Sequence, residues 1–110
     1  LEENIADRLN TMLREVVSNG TGKAASLRTR QVAGKTGTSE GARDIWFIGS
    51  IPQLTTGVWF GNDENKETKN SSGTAAWVWK QFLSKIEKNF QVESFPKAKS
   101  LNKKNNLNSD

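Results

Sequence analysis

Histidine and cysteine are both missing from this sequence of 110 residues. Their absence excludes a thiolate nucleophile, a serine–histidine pair within the chain and any Cys/His zinc site. No metal and no cofactor is expected. Long apolar runs are missing as well. Nothing approaches the roughly 18 residues that a membrane span needs, and no signal peptide is visible. The first residue is Leu1 rather than Met, so the expectation is a piece of a longer protein. Any membrane anchor would then lie upstream. A one-signed charge field is also lacking in the body of the chain. Leu1–Glu93 holds 12 basic and 11 acidic residues, whereas Ser94–Asp110 holds four lysines and one aspartate. The net charge of +4 therefore sits mostly in the tail. A nucleic-acid binder places its basic residues on a folded face among aromatics, so no nucleic-acid partner is expected. A short basic tail reads as solvated. The length allows one modest domain.

What is present has clear periodicity. Ile5, Leu9, Met12, Leu13, Val16 and Val17 recur at three- and four-residue spacing, which predicts a helix over residues 3–18 with one apolar stripe. Glu2, Glu3 and Asp7 suit the positive end of its dipole, and Asn19-Gly20 predicts a left-handed stop. The loop Thr21–Arg30 carries Lys23, Arg28 and Arg30 and reads as a solvated basic loop. Three strands are expected, over about Gln31–Ser39, Asp44–Ser50 and Thr55–Gly61, joined by short links into an antiparallel meander. The unbroken run Ile45-Trp46-Phe47-Ile48 suggests a strand covered on both faces. A second helix is expected over about Thr74–Phe90, with Ala75, Trp79, Phe82, Leu83, Ile86 and Phe90 on its buried face. Beyond Phe95-Pro96 the composition turns to Lys, Asn and Ser, which cannot repay ordering entropy, so a disordered tail is expected.

The stretch "VAGKTGTSEGARDIWFIGSIPQ", Val32 to Gln53, carries the functional question. Gly34-Lys35-Thr36 suggests a phosphate cradle, but a P-loop needs a glycine where Thr29 stands, an apolar strand before it and a helix after it. Gly37 and Gly41 lie where that helix should begin. A strand fits better. In an extended chain Lys35 and Thr36 point to opposite sides, and Gly37 leaves room for a ligand backbone along the strand. Lys35 can supply a fixed positive charge. Thr36 and Thr38 can donate hydroxyl hydrogen bonds to a carboxylate, and the Thr38 N–H can face a developing oxyanion. That set suits acyl transfer.

Lys35-Thr36-Gly37-Thr38 resembles the Lys-Thr-Gly box of serine penicillin-recognising enzymes. Its context extends the resemblance. Gly20-Thr21-Gly22-Lys23-Ala24-Ala25 stands before it and Asp44-Ile45-Trp46-Phe47-Ile48-Gly49 after it. Pro52-Gln53-Leu54-Thr55-Thr56, Val58-Trp59-Phe60-Gly61, Gly73-Thr74-Ala75-Ala76 and Trp79-Lys80 follow. Over roughly Ile5 to Ile86 the succession is similar to the C-terminal part of the transpeptidase domain of class A, bifunctional penicillin-binding proteins.

The resemblance implies an enzyme in which a serine attacks the penultimate D-Ala carbonyl of a peptidoglycan stem peptide. D-Ala leaves, and an amine of a neighbouring stem resolves the acyl-enzyme. β-Lactams imitate the D-Ala-D-Ala end. By that likeness Lys35 stabilises charge and assists proton transfer, Thr36 and Thr38 hold the substrate carboxylate, the Thr38 amide is one oxyanion donor, and Gly37 lets the peptide lie as an added strand. The implied partners are stem peptides, β-lactams and the rest of the parent polypeptide, with a membrane reached only through an upstream anchor. The implied location is the cell envelope, on the outer face of the bacterial cytoplasmic membrane.

The family's Ser-x-x-Lys and Ser-x-Asn boxes precede Lys-Thr-Gly, and neither Ser18 nor Ser26 fits them. Ser94-Phe-Pro-Lys97, Ser100-Leu-Asn102 and Ser100-Leu-Asn-Lys103 fit formally, in the wrong order and in low-complexity sequence, and read as accidents. The chain alone is therefore expected to be inactive. A non-catalytic peptidoglycan-binding module is the alternative reading, with a P-loop nucleotide-binding protein more remote. Asp44 reads as a structural partner for a backbone amide or Arg43, and Trp46, Trp59, Trp77 and Trp79 read as core. The expected fold is α+β: a helix, a three-stranded antiparallel meander and a packed C-terminal helix, part of a five-stranded penicillin-binding/β-lactamase-like domain. Residues 1–93 form its C-terminal lobe and 94–110 the tail.

Overall fold

A computed structural model describes residues 1–99. Helix α1 spans Glu3–Asn19, strand β1 Ala33–Thr38, strand β2 Ile45–Ile51, strand β3 Leu54–Phe60 and helix α2 Ser72–Ile86. Short 3-10 turns lie at Lys23–Ala25, Glu40–Ala42 and Glu87–Asn89. The strands form one antiparallel sheet in the order β1-β2-β3. In its register Thr36 stands opposite Phe47, and Trp46 opposite Trp59. Ile51 pairs with Leu54, so Pro52-Gln53 is the whole β2–β3 turn.

Period-two alternation decides the core. Ile45, Phe47, Gly49 and Ile51 of β2 point inward. Of these, Phe47 and Ile51 form one apolar cluster with Val17 of α1 and Ala75, Ala76, Trp79 and Leu83 of α2. The two alanines let α2 approach the sheet closely. The rings of Phe47 and Trp79 then meet edge to face with centroids 5.5 Å apart, and the Trp79 indole N–H donates to the Thr56 carbonyl at 3.1 Å. An indole buried this way keeps its polar atom satisfied.

Among the described residues β2 is covered on one face only, because α1 and α2 pack on the same side, and cover for its other face is expected from the rest of the parent polypeptide. Trp46 and Ile48 are exposed on the other face, and Trp59 is exposed beside Trp46. Other expectations need correction. Of the four tryptophans only Trp79 is core, and Trp77 and Phe82 point to solvent. On α1 the apolar stripe is mostly open: Val17 is buried, while Ile5, Leu9 and Met12 are exposed. Gly20 is not left-handed, with φ −113° and ψ −152°. The N–H groups of Gly20 and Gly22 both reach the Val16 carbonyl, each at 3.0 Å, and that shared acceptor closes the helix end without a positive φ.

Arg30 is the largest departure from the expected solvated loop. Its side chain is 5% exposed. Its guanidinium donates to the carbonyls of Glu87 at 3.1 Å, Phe90 at 3.0 Å and Gln91 at 3.4 Å. The Glu87 carbonyl also accepts the Phe90 N–H at 3.0 Å within the 3-10 turn, and a cation is favoured at this C-terminal end of the helix. Residues Ser94 to Lys99 also differ from a loose tail. Phe95 is buried, its N–H donates to Gln31 Oε1 at 2.8 Å, and the Lys99 N–H donates to Asn4 Oδ1 at 3.2 Å. One buried phenylalanine and two side-chain acceptors suffice to hold this segment on the body. The remaining tail, with Ser100, Asn102 and Lys103, lies outside the described residues.

The open sheet face leaves Trp46, Ile48 and Trp59 in water and the α1 stripe leaves Ile5, Leu9 and Met12, and contiguous exposed apolar patches mark surfaces that associate. The isolated chain is therefore expected to be marginally stable or self-associating. Sedimentation combined with a thermal melt checks this. A monomeric sample with a sharp two-state melt contradicts it.

Candidate active-site strand

β1 is an edge strand, since among the described residues it pairs only with β2. Two hydrogen bonds decide which of its backbone groups face outward. Ser39, one step past the strand, donates its N–H to the Asp44 carbonyl at 2.9 Å. Ser39 opposite Asp44 is thus a hydrogen-bonded position. Such positions alternate along an antiparallel pair. Lys35 and Gly37 therefore direct their backbone groups at β2, while the N–H and C=O of Thr36 and Thr38 point to the free edge. The second bond agrees: Lys35 Nζ donates to the Thr36 carbonyl at 2.8 Å, so an ammonium reaches that carbonyl from the edge.

The side chains divide the other way. Lys35 is exposed on the open sheet face, opposite Ile48, and Gly37 is opposite Trp46 on the same face. Thr36 and Thr38 lie on the helix side, in line with Phe47 and Ile45. Thr38 is exposed at the strand end. Thr36 is buried, at 8% exposure, and its Oγ1 is 2.7 Å from Thr21 Oγ1. The structure thus places the four expected site residues on one edge and gives them two sides. Lys35 and Gly37 share the open face, the Thr36 hydroxyl is already engaged, and the Thr38 hydroxyl has no partner among the described residues.

Glycines on either side of Lys35 do different work. A Cβ on Gly34 would stand 2.5 Å from Phe47 Cζ and 2.9 Å from the Ile48 carbonyl, so this glycine lets β1 lie against the core ring. A Cβ on Gly37 would meet only Trp46 Cβ, at an ordinary 3.7 Å. Gly37 is not demanded by packing among the described residues. It leaves space on the outside of the strand.

The end of β1 that carries Thr38 is fixed by a cluster the sequence reading missed in part. The Asp44 N–H donates to Ser39 Oγ at 2.8 Å, and Ser39 Oγ in turn donates to Asp44 Oδ2 at 3.3 Å. Asp44 Oδ1 accepts the Trp59 indole N–H at 3.0 Å. Asp44 is a structural partner, as expected, but of Ser39 and Trp59 rather than Arg43. The turn beyond Ser39 has Gly41 at φ 70° and Ala42 at φ 52°. Thr68 holds it with its N–H and its hydroxyl, both donating to the Ala42 carbonyl at 2.8 Å. Thr68 gave no signal in the sequence because it lies 26 residues from its partner.

The family model for the penicillin-binding protein transpeptidase domain matches residues 1–84. The chain belongs to this family. Among its relatives, penicillin-binding protein 1A of Aquifex aeolicus is 41% identical over 87 residues, covering 76% of this chain and 12% of that protein. Penicillin-binding protein 1A/1B of Bacillus subtilis is 39% identical over 85 residues, covering 64% and 9%. Among solved structures, the D,D-transpeptidase domain of a peptidoglycan glycosyltransferase from Eggerthella lenta superposes with a TM-score of 0.62 at 29% identity, covering 81% of this chain and 21% of that one. The transpeptidase domain of the FtsI4 D,D-transpeptidase from Legionella pneumophila gives 0.59 at 27%, covering 79% and 37%. The chain thus spans about a tenth of the length of the curated relatives it matches. The α+β arrangement described above is that of a penicillin-binding protein transpeptidase domain in part. Among the described residues of this penicillin-binding protein segment, no helix is long and apolar enough to cross a membrane.

Proposed function

We propose that this segment is one wall of the active site of a serine D,D-transpeptidase that cross-links peptidoglycan stem peptides on the outer face of the cytoplasmic membrane. The free edge of β1, with the Thr36 and Thr38 backbone groups directed outward beside the Lys35 ammonium, is the observation that carries this reading. An extended peptide can add to that edge as a strand. Its terminal carboxylate lies near the hydroxyls of Thr38 and Thr36. The Thr38 N–H then faces the carbonyl oxygen as it becomes an oxyanion, where a preorganised donor acts most strongly. Lys35 adds a positive charge at the same edge. The serine that attacks, the base that takes its proton and the second oxyanion donor come from the rest of the parent polypeptide. β-Lactams enter as mimics of the D-Ala-D-Ala end and are retained as acyl adducts.

The test is labelling by a fluorescent penicillin, followed by mass spectrometry of the adduct. The intact protein is expected to label on a serine outside this segment. The 110-residue chain alone is expected to show no covalent adduct. An adduct on Ser94 or Ser100 of the isolated chain overturns the assignment of the nucleophile to the missing part, and an intact protein that never labels overturns the reading as a whole.

A further inference from the structure

The Gly20-Thr21-Gly22 stretch has no role in the reading above, yet its Thr21 hydroxyl bonds a side chain of β1. Thr21 and Thr36 are 15 residues apart in sequence, and their hydroxyl oxygens are 2.7 Å apart. Thr36 is buried, whereas Thr21 is exposed. A threonine hydroxyl has a single proton and two lone pairs. One bond between two hydroxyls therefore has two directions. With Thr36 donating, its proton is spent on Thr21 and the Thr21 proton goes to water. With Thr21 donating, the Thr36 proton is released for another acceptor. In the free chain the first direction satisfies the buried group.

We propose that Thr21 is a positioning residue for anion recognition. A carboxylate at the free edge of β1 draws the Thr36 proton, and the bond between the two hydroxyls reverses so that Thr21 donates to Thr36. This inference rests on the assignment of β1 as the strand that receives the substrate carboxylate. The reversed chain runs from the Thr21 O–H to Thr36 Oγ1 and from the Thr36 O–H to the carboxylate. Each donor polarises the next, and the last bond is charge-assisted. A ligand without a carboxylate leaves the bond in its first direction and gains nothing from Thr21. The loop is built to hold Thr21 in place. The N–H groups of its neighbours Gly20 and Gly22 both bond the Val16 carbonyl. A Cβ on Gly22 would lie 3.2 Å from Phe47 Cε1 and 3.3 Å from Val16 Cγ1, so the backbone here sits close against the core.

The experiment compares the intact wild-type protein with Thr21→Val and Thr21→Ser, using a penicillin and its methyl ester. Acylation rates against ligand concentration separate the half-saturating concentration from the limiting rate. Thr21→Val is expected to raise the half-saturating concentration of the free acid by roughly three- to tenfold. The limiting rate and both parameters for the ester stay unchanged, and Thr21→Ser restores the wild-type value. Equal losses for acid and ester indicate a merely structural contact and overturn the proposal, as does no loss for either. A wild type that neither ligand acylates overturns the assignment of the site and this inference with it.

Discussion

Lys35→Ala in the intact protein is expected to slow acylation by a penicillin by about a hundredfold or more, the scale of losing one preorganised oxyanion-type donor. The residue is exposed, and the one side-chain hydrogen bond it makes among the described residues is to the neighbouring Thr36 carbonyl at 2.8 Å. Its removal leaves the fold intact, so the loss reports on chemistry. Thr38→Val provides the contrast. It keeps the backbone N–H at the free edge and the side-chain shape, and removes only the hydroxyl. Acylation should fall less than for Lys35→Ala, and the fall should shrink further with an analogue that lacks the carboxylate. Stopped-flow acylation of both variants with both ligands gives the order. Wild-type rates for a folded Lys35→Ala protein remove this lysine from the site and take the proposed mechanism with it.

The second large effect concerns the two glycines that enclose Phe47. An alanine Cβ at position 49 would fall 2.5 Å from Phe47 Cε2 and 2.7 Å from Trp79 Cε2. At position 34 it would fall 2.5 Å from Phe47 Cζ and 2.9 Å from a backbone carbonyl that cannot rotate aside. Both rings at position 49 belong to fully buried side chains. Overpacking of this kind costs about 1–3 kcal/mol and more where nothing can yield. Gly49→Ala and Gly34→Ala are each expected near the upper end, about 3 kcal/mol, read as a fall in the denaturation midpoint of the intact transpeptidase domain. Phe47→Leu shortens the ring that both would strike. The double variant Gly49→Ala with Phe47→Leu should therefore lose less than the sum of the single losses. Strict additivity of the two substitutions, or a wild-type midpoint for Gly49→Ala, shows that the Phe47–Trp79 contact is looser than described.

Elements whose evidence is local were legible in the sequence. The 3.6-residue spacing of α1 and α2 and the short β-rich runs between them gave helices and strands within a residue or two of those observed, except that α2 ends at Ile86, four residues before the expected Phe90. The alternation of side chains along β1 separated Lys35 from Thr36. Elements whose surroundings come from far along the chain were not legible. Arg30 lies in a polar loop, and nothing near it reveals that the carbonyls of Glu87, Phe90 and Gln91 come back to surround it. Trp46 and Trp79 are equally apolar. One is exposed and one buried because both helices cover the same face of the sheet. Phe95 stands at the start of a basic, polar tail, yet finds a place on the body through Gln31.

The candidate site divides along the same line. The sequence by itself determined the chemistry: a lysine, two hydroxyls and a glycine in an extended run, with no histidine or cysteine to offer another route. Spacing along a strand is a covalent property, so it survives any fold that keeps the strand. The tertiary structure decided which backbone groups are available. That depends on the phase of the β1–β2 ladder, and the phase is set by the Ser39–Asp44 pairing across the turn rather than by any residue of the motif. It also decided that Thr36 meets Thr21 and that Thr38 does not, because only the closure of α1 onto Val16 brings the Gly20–Gly22 loop beside β1. Hydrogen-bond phase and loop closure are long-range geometric facts, and a sequence read at short range carries neither.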